Sequence, residues 1–242
     1  MKQIFPIFKR EFLGYFRAPV AYVFLIVFLL ASVGLAFFAA GFFKAGVATL
    51  ESYFMFHPWL FLFLVPAAGM RLWSEEKRSG TIELLLTLPI TPLEAVLGKF
   101  LAAWAFLTVA ILASFPMVIT VYYLGNPDPG VIVTSYLGSI LMAAAYLGVC
   151  SVMSALTKNQ VISFVLSVFV CAMLTLVGTS MFTGFLTGFV GLPVGVADLV
   201  ANFGFLTHFE AFTKGIVDPK DLMFFLSLTG FTLFLNVVAL ER

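Results

Sequence analysis

The chain is predicted to be an all-α integral membrane protein with six transmembrane helices, and three observations predict it. Of its 242 residues, 62% are hydrophobic and only 10% are charged, with a mean hydropathy of +1.11; an average globular domain has about 25% charged residues. Six runs, 18–43, 52–70, 100–125, 131–157, 159–197 and 222–240, contain no Asp, Glu, Lys or Arg. Each is long enough, or nearly so, to supply the ~20 residues a helix needs to cross ~30 Å of hydrocarbon. The roughly ten-residue alternation of an outer-membrane barrel is absent. One membrane domain over 1–242 is expected, with no internal repeat and no soluble domain.

The first element is an amphipathic interface helix over 2–17. Phe5, Phe8, Phe12 and Phe16 recur at helical spacing, while Lys2, Lys9, Arg10 and Arg17 lie off that stripe. This pattern suits a helix lying in the membrane surface, apolar face down and attracted to anionic lipid. Ala18-Pro19 then turns the chain, because the residue before a proline avoids helical backbone. The apolar stretch beyond Pro19 far exceeds the roughly 7–15 residues of a signal-peptide core, so it is expected to be retained as the first span, about 20–43. Further spans are expected at about 53–73, 99–124, 132–156, 160–182 and 221–240.

Orientation follows from the placement of Lys and Arg. With the N-terminus inside, Lys2, Lys9, Arg10, Arg17, Arg71, Lys77, Arg78, Lys99, Lys158 and Arg242 fall on the inner side; only Lys44, Lys214 and Lys220 fall outside. Both termini are therefore expected in the cytoplasm. The 159–197 run is nearly long enough for two crossings, but Gly184, Gly188, Gly191, Pro193 and Gly195 break its second half. One span is expected there, followed by an outer re-entrant or surface-lying hairpin over 183–217. Irregular backbone at membrane depth must be satisfied by protein or water, so that hairpin should pack on other helices or on a partner chain.

The charges bunch in one place. Burying Arg71, Glu75, Glu76, Lys77 and Arg78 near mid-bilayer would cost on the order of 15 kcal/mol, at ~3 kcal/mol each. They belong outside the hydrocarbon, on the cytoplasmic face. Gly80 can stop the helix that emerges from the second span. "TIELLLTL" then reads as a short helix stopped by Pro89, apolar nearly all round, with Gly80, Glu83 and Thr87 on one polar stripe and Ile82, Leu84, Leu85, Leu86 and Leu88 covering the rest. Thr91, Pro92 and Glu94 form a capping box that opens the third span. A loop of such defined shape suits a docking surface.

The stretch "PWLFLFLVPAAGMRLWSEEKRSGTIELLLTLPITPLEAVLGKF", residues 58–100, resembles the most characteristic part of ABC-2 type transporter permeases. It is most similar to those of the gliding-motility and nitrous-oxide-reductase-maturation kind. The layout agrees over essentially the full length, with the specificity concentrated in "EEKRSGTIELLLTLPIT". The resemblance implies the transmembrane permease subunit of an ATP-driven exporter in the bacterial plasma membrane. It implies a second permease chain, identical or related, membrane lipid around both, and an accessory outer or membrane protein. A separate cytoplasmic ABC ATPase subunit would hold ATP and Mg²⁺. The loop over 74–91 would couple to that ATPase through Ser74, Glu75, Glu76, Lys77, Arg78, Gly80, Thr81, Ile82, Glu83 and Thr87. The opening helix matches the family's interface helix. The cargo stays open, since related permeases move lipids, polysaccharides, drugs and ions.

Other chemistries find no support in the residues. "VLGKF" at 96–100 has the Gly98-Lys99 pair of a phosphate-binding loop but neither its upstream glycine nor its hydroxyl residue, so the chain is not expected to be an enzyme or to carry a cofactor. No basic run suggests nucleic acid. His57, His208, Cys150 and Cys171 lie at no chelating spacing. His57 reads as a helix-end or interfacial residue, His208 beside Glu210 as surface or hairpin packing, and the cysteines as small buried thiols. Ser180 has no histidine inside a span to act as base. The uncharged runs leave no Asp, Glu, Lys or Arg inside the membrane for ion coupling. Thr108, Ser114, Ser151, Ser154, Ser163, Ser167 and Thr175 either hold helices together or line a polar path. A membrane anchor that recruits an ATPase or an outer enzyme without moving cargo is the alternative function.

Overall fold

Every regular element among the described residues, 3–40, 42, 48–81, 90–191 and 193–241 of the computed structural model, is helical. Backbone in lipid has no water to bond and must close its hydrogen bonds within the segment. Lys2, and the short helix expected over 81–88 with Ile82, Glu83 and Thr87, lie outside the described residues or nearly so, Thr81 alone being described.

Helix α1 (Ile4–Arg17) ends at Ala18, whose extended backbone (φ −88°, ψ 124°) is set by Pro19, and α2 (Pro19–Gly34) starts on that proline. A π-helical turn at Leu35–Ala39 extends α2. The second expected span, 53–73, is broken into α3 (Glu51–Phe54), α4 (His57–Gly69) and α5 (Arg71–Ser79). Helix α4 continues through Pro66, and the break after it has a local cause. The Met70 carbonyl, between α4 and α5, accepts the hydroxyls of Ser74 and Ser154.

The capping box appears as expected at the start of α6 (Pro92–Leu112): the Glu94 N–H donates to Thr91 Oγ1 and the Thr91 N–H to Glu94 Oε2, both at 3.3 Å. After a break at Ala113 and Ser114, α7 (Phe115–Leu124) continues the third span. Asp128 caps α8 (Pro129–Leu156) and Asn159 caps α9 (Gln160–Leu176). Helix α9, the fifth expected span, thus ends at Leu176, short of the expected residue 182, because Thr179 caps a new helix there. That helix, α10 (Ser180–Gly188), leaves at 79° to α9. Then follow α11 (Val194–Ala201), α12 (Phe205–Thr213) and the last span, α13 (Pro219–Glu241).

Among the described residues, four helical stretches are long and apolar enough to cross a membrane: Ala21–Ala39, Pro92–Leu124, Pro129–Leu156 and Pro219–Glu241. The bent pair α9 and α10 would make a fifth. Helix α8 is the axis of the molecule. It packs against α13, α4, α9, α6, α12 and α5, and Met142, Ala145, Tyr146, Leu147 and Cys150 on it are fully enclosed.

His57 opens α4, as expected of a helix-end residue, but it is 0% exposed, not interfacial: its Nδ1 lies 2.9 Å from Ser139 Oγ on α8, and the rings of Phe28, Tyr53, Phe54 and Phe61 surround it. His208 packs within the hairpin, as expected, and its partner is Asp221. Nδ1 lies 2.6 Å from Asp221 Oδ1 on α13 and Nε2 2.7 Å from the Asn202 carbonyl.

Charges gather at two ends. Glu11, Arg71, Glu76, Lys77, Lys99 and Lys158 neighbour one another at one end; Glu51, Glu210 and Lys214, with Lys220 bonded to Asn202, gather at the other.

Candidate functional site: the charged arm after the second span

Helix α5 is the charged segment of the sequence, and its two faces differ. Leu72, Trp73 and Ser74 are buried, Glu76 and Lys77 half-buried, and Glu75, Arg78, Ser79, Gly80 and Thr81 exposed. Gly80 ends the helix with φ +72°, a left-handed conformation that side chains beyond Cα resist.

The buried face is pinned to α8. The first N–H groups of any helix lack partners within it, and α5 has no capping side chain of its own. Ser154 supplies the cap from α8: its hydroxyl accepts from the Trp73 N–H (3.0 Å) and the Ser74 N–H (3.1 Å) and donates to Met70 O (2.9 Å). The Trp73 indole N–H donates to Ser151 Oγ at 3.3 Å, and Asn236 of α13 donates to the same oxygen. Lys77 Nζ donates to the Ala155 carbonyl in the last turn of α8, the negative end of that helix dipole. Burial, then the Lys158 charge, lowers the Lys77 pKa from its ordinary value.

The other edge meets α6. Lys99, only 5% exposed, donates to Glu76 Oε1 at 2.6 Å and to the Leu72 carbonyl at 3.0 Å, and lies 5.0 Å from the centre of the Trp73 ring. Glu11 of α1 lies 3.9 Å from the same ammonium.

Helix α1 lies along α6. Ile7 presses on Gly98, where an added Cβ would come within 2.7 Å of its side chain. Tyr15 stacks on Phe106 at 4.9 Å and Phe16 meets the same ring edge-on at 5.7 Å. Burial pushes the Tyr15 phenol up, Glu11 adding to the shift and Arg71 opposing it. Phe8, Phe12 and Phe16 form a half-covered row of rings, whereas Phe5 is 69% exposed. Lys9, Arg10 and Arg17 face outward.

The fold therefore brings together most of the residues singled out from the sequence. Glu75, Arg78, Gly80 and Thr81 form an accessible edge, while Ser74 is buried and holds the arm. Lys99, Ser151 and Ser154 are the structural members that spacing did not single out for this site. The one signal for the serines was polarity inside an uncharged run, where the helix-holding reading is the one realised.

The family profile described as ABC-2 family transporter protein matches residues 52–240. No curated protein matches the chain. A match that covers α3 to α13, on an all-helical body with several apolar helices long enough to cross a bilayer, leads to one conclusion: the chain belongs to the ABC-2 transporter family, as a multi-pass membrane permease that works with an ABC ATPase subunit and is not itself the ATPase.

Proposed function

We propose that this permease is an exporter subunit of the gliding-motility and nitrous-oxide-reductase-maturation kind, with six crossings and both termini in the cytoplasm of a bacterium. The 74–91 segment is its drive contact. Glu75, Arg78, Gly80 and Thr81, completed by Ile82, Glu83 and Thr87, meet a groove of the ATPase. A second permease chain, identical or related, completes the transporter.

The observation that carries this reading is the split character of α5. Its outer edge offers charges to a partner, and its inner face is tied to α8 through Ser151, Ser154 and the Ala155 carbonyl. A displacement of the exposed edge moves α8, and α8 touches most of the other spans. An anchor without transport has no need of that stiffness. The gathering of charge at two ends supports a body that spans the bilayer, since the intervening helices carry almost none. The broken path through α3, α4 and α5 supplies the remaining crossing. ATP and Mg²⁺ sit on the partner, whose closure drives the two permeases past each other.

Co-purification of the ATPase with Gly80→Trp and Glu83→Lys permeases, and ATP hydrolysis in liposomes holding both subunits, test the contact. Both variants should lose most of the permease-stimulated hydrolysis while the permease stays folded; unchanged coupling in both would remove the 74–91 segment from this role. Single cysteines at Arg78 and Lys214 should label from opposite sides of the membrane. Labelling from one side would overturn the topology.

A further inference from the structure

The Gly98-Lys99 pair looked like a fragment of a phosphate-binding loop and served no purpose in that reading. Its structural setting is specific. Gly98 lets Ile7 of α1 sit directly on the α6 backbone. Glu11, one helical turn after Ile7 and on the same face, is thereby carried to within 3.9 Å of Lys99. Lys99 also engages three acceptors of α5: the Glu76 carboxylate, the Leu72 carbonyl and the face of Trp73. Arg10 closes the row, 2.7 Å from Glu11 Oε1. Four alternating charges, Arg10, Glu11, Lys99 and Glu76, thus run from the surface of α1 through α6 to the arm.

We propose that Lys99 is a positioning residue that locks the N-terminal helix α1 to the arm α5, so that the two move as one body. A buried ammonium held only by packing could be exchanged for an apolar side chain together with its counter-ion. Lys99 instead faces carboxylates on two elements far apart in sequence, and a single cation between two anions ties them to each other. Helix α1 lies outside the matched family region, 52–240; apart from this chain of charges, its electrostatic contact with the arm among the described residues is that of Arg71 with Tyr15. The lock matters for transport only if the 74–91 segment is the drive contact, but the lock itself is measured without the ATPase.

The test places nitroxide labels on cysteines at Leu13 and Glu75, both exposed, in the full permease in nanodiscs of anionic lipid. Pulsed dipolar spectroscopy should give one narrow distance distribution. Lys99→Met should broaden it at least twofold, and Lys99→Arg should keep it narrow. The exchange Lys99→Glu with Glu76→Lys restores the pair to the arm but sets two carboxylates face to face at α1, so it should stay broad; adding Glu11→Lys should narrow it again. A narrow distribution in Lys99→Met, or equal broadening in Lys99→Arg, overturns the lock. Should Lys99→Met not fold, Glu11→Gln, at a partly exposed site, decides in its place: it must broaden the distribution. In the complex, Lys99→Met should keep the ATPase bound and lower its stimulation severalfold. Failure of the unmodified permease to bind the ATPase would sink the drive contact and leave the distance result standing.

Discussion

The arm α5 and the stretch between α9 and α13 (residues 177–218) are two interrupted parts of the described chain, and they are held in opposite ways. The arm is short but enclosed, with Trp73 and Ser74 buried and hydrogen bonds reaching it from α8 and α6. In the hairpin, α10 buries no side chain and α11 buries only Ala197. Its docking rests on α12, through Phe205, Phe209, Phe212 and the His208–Asp221 pair. A satisfied network of buried polar contacts fixes one geometry of a segment, whereas a segment with few buried contacts opens locally at lower cost.

The largest expected contrast comes from removing an anchor at each end. Trp73→Ala empties a fully enclosed indole site, a change that costs about 3–5 kcal/mol, and leaves Ser151 Oγ with Asn236 as its remaining donor. Phe185→Ala on α10, 51% exposed, should stay within about 0.5 kcal/mol of the parent as judged by thermal unfolding in detergent. Equal effects would erase the distinction between the two regions. His208→Ala follows. It leaves Asp221 without its buried partner, a loss of about 3 kcal/mol, and should open the hairpin to protease while cleavage near α5 does not change. Protection persisting in the hairpin would mean that the phenylalanines of α12 dock it unaided.

Ser154→Ala should act at an intermediate level, about 1–3 kcal/mol, because two backbone N–H groups of α5 lose their acceptor where water cannot reach. This serine also marks where sequence reasoning stops. The Ala18-Pro19 break, the Gly80 stop and the Thr91–Glu94 box are all decided within four residues, and each was legible. The cap that Ser154 gives to α5 joins residues 80 and more apart in the chain, as does the bond between His57 and Ser139. No spacing rule reaches that far in a chain whose helices are apolar on most sides. His57 read correctly as an end residue, at the start of α4, but its burial among residues of α2, α3 and α8 was not legible. Lys99 read as one more inner-face charge for the same reason: its partners on α1 and α5 come from elements whose crossing the sequence does not reveal. The 79° turn after Leu176 was half visible, since the glycines of the hairpin were noted but the capping role of Thr179 was not.

The smallest effect separates the two ends by sign. Burial lowers the Lys77 pKa in the arm, so the unfolded chain binds that proton more tightly than the folded one. As pH rises between the lowered value and the ordinary lysine value, the folded state gains stability. At the hairpin end, the hydrogen bond to Glu210 raises the Lys214 pKa, Glu210's charge adding to it. That contribution is complete below the ordinary lysine value and is lost as pH rises through the raised one. Lys214 is exposed, so the change there is slight and screened by salt. Unfolding temperatures in nanodiscs across the alkaline range should therefore shift in opposite directions for the two single variants. Lys77→Met removes a gain and steepens the alkaline decline of the parent, while Lys214→Met removes a loss and flattens it. Parallel shifts would show that the two lysines share one environment, and the contrast between a buried arm and an open hairpin would fail at its most sensitive point.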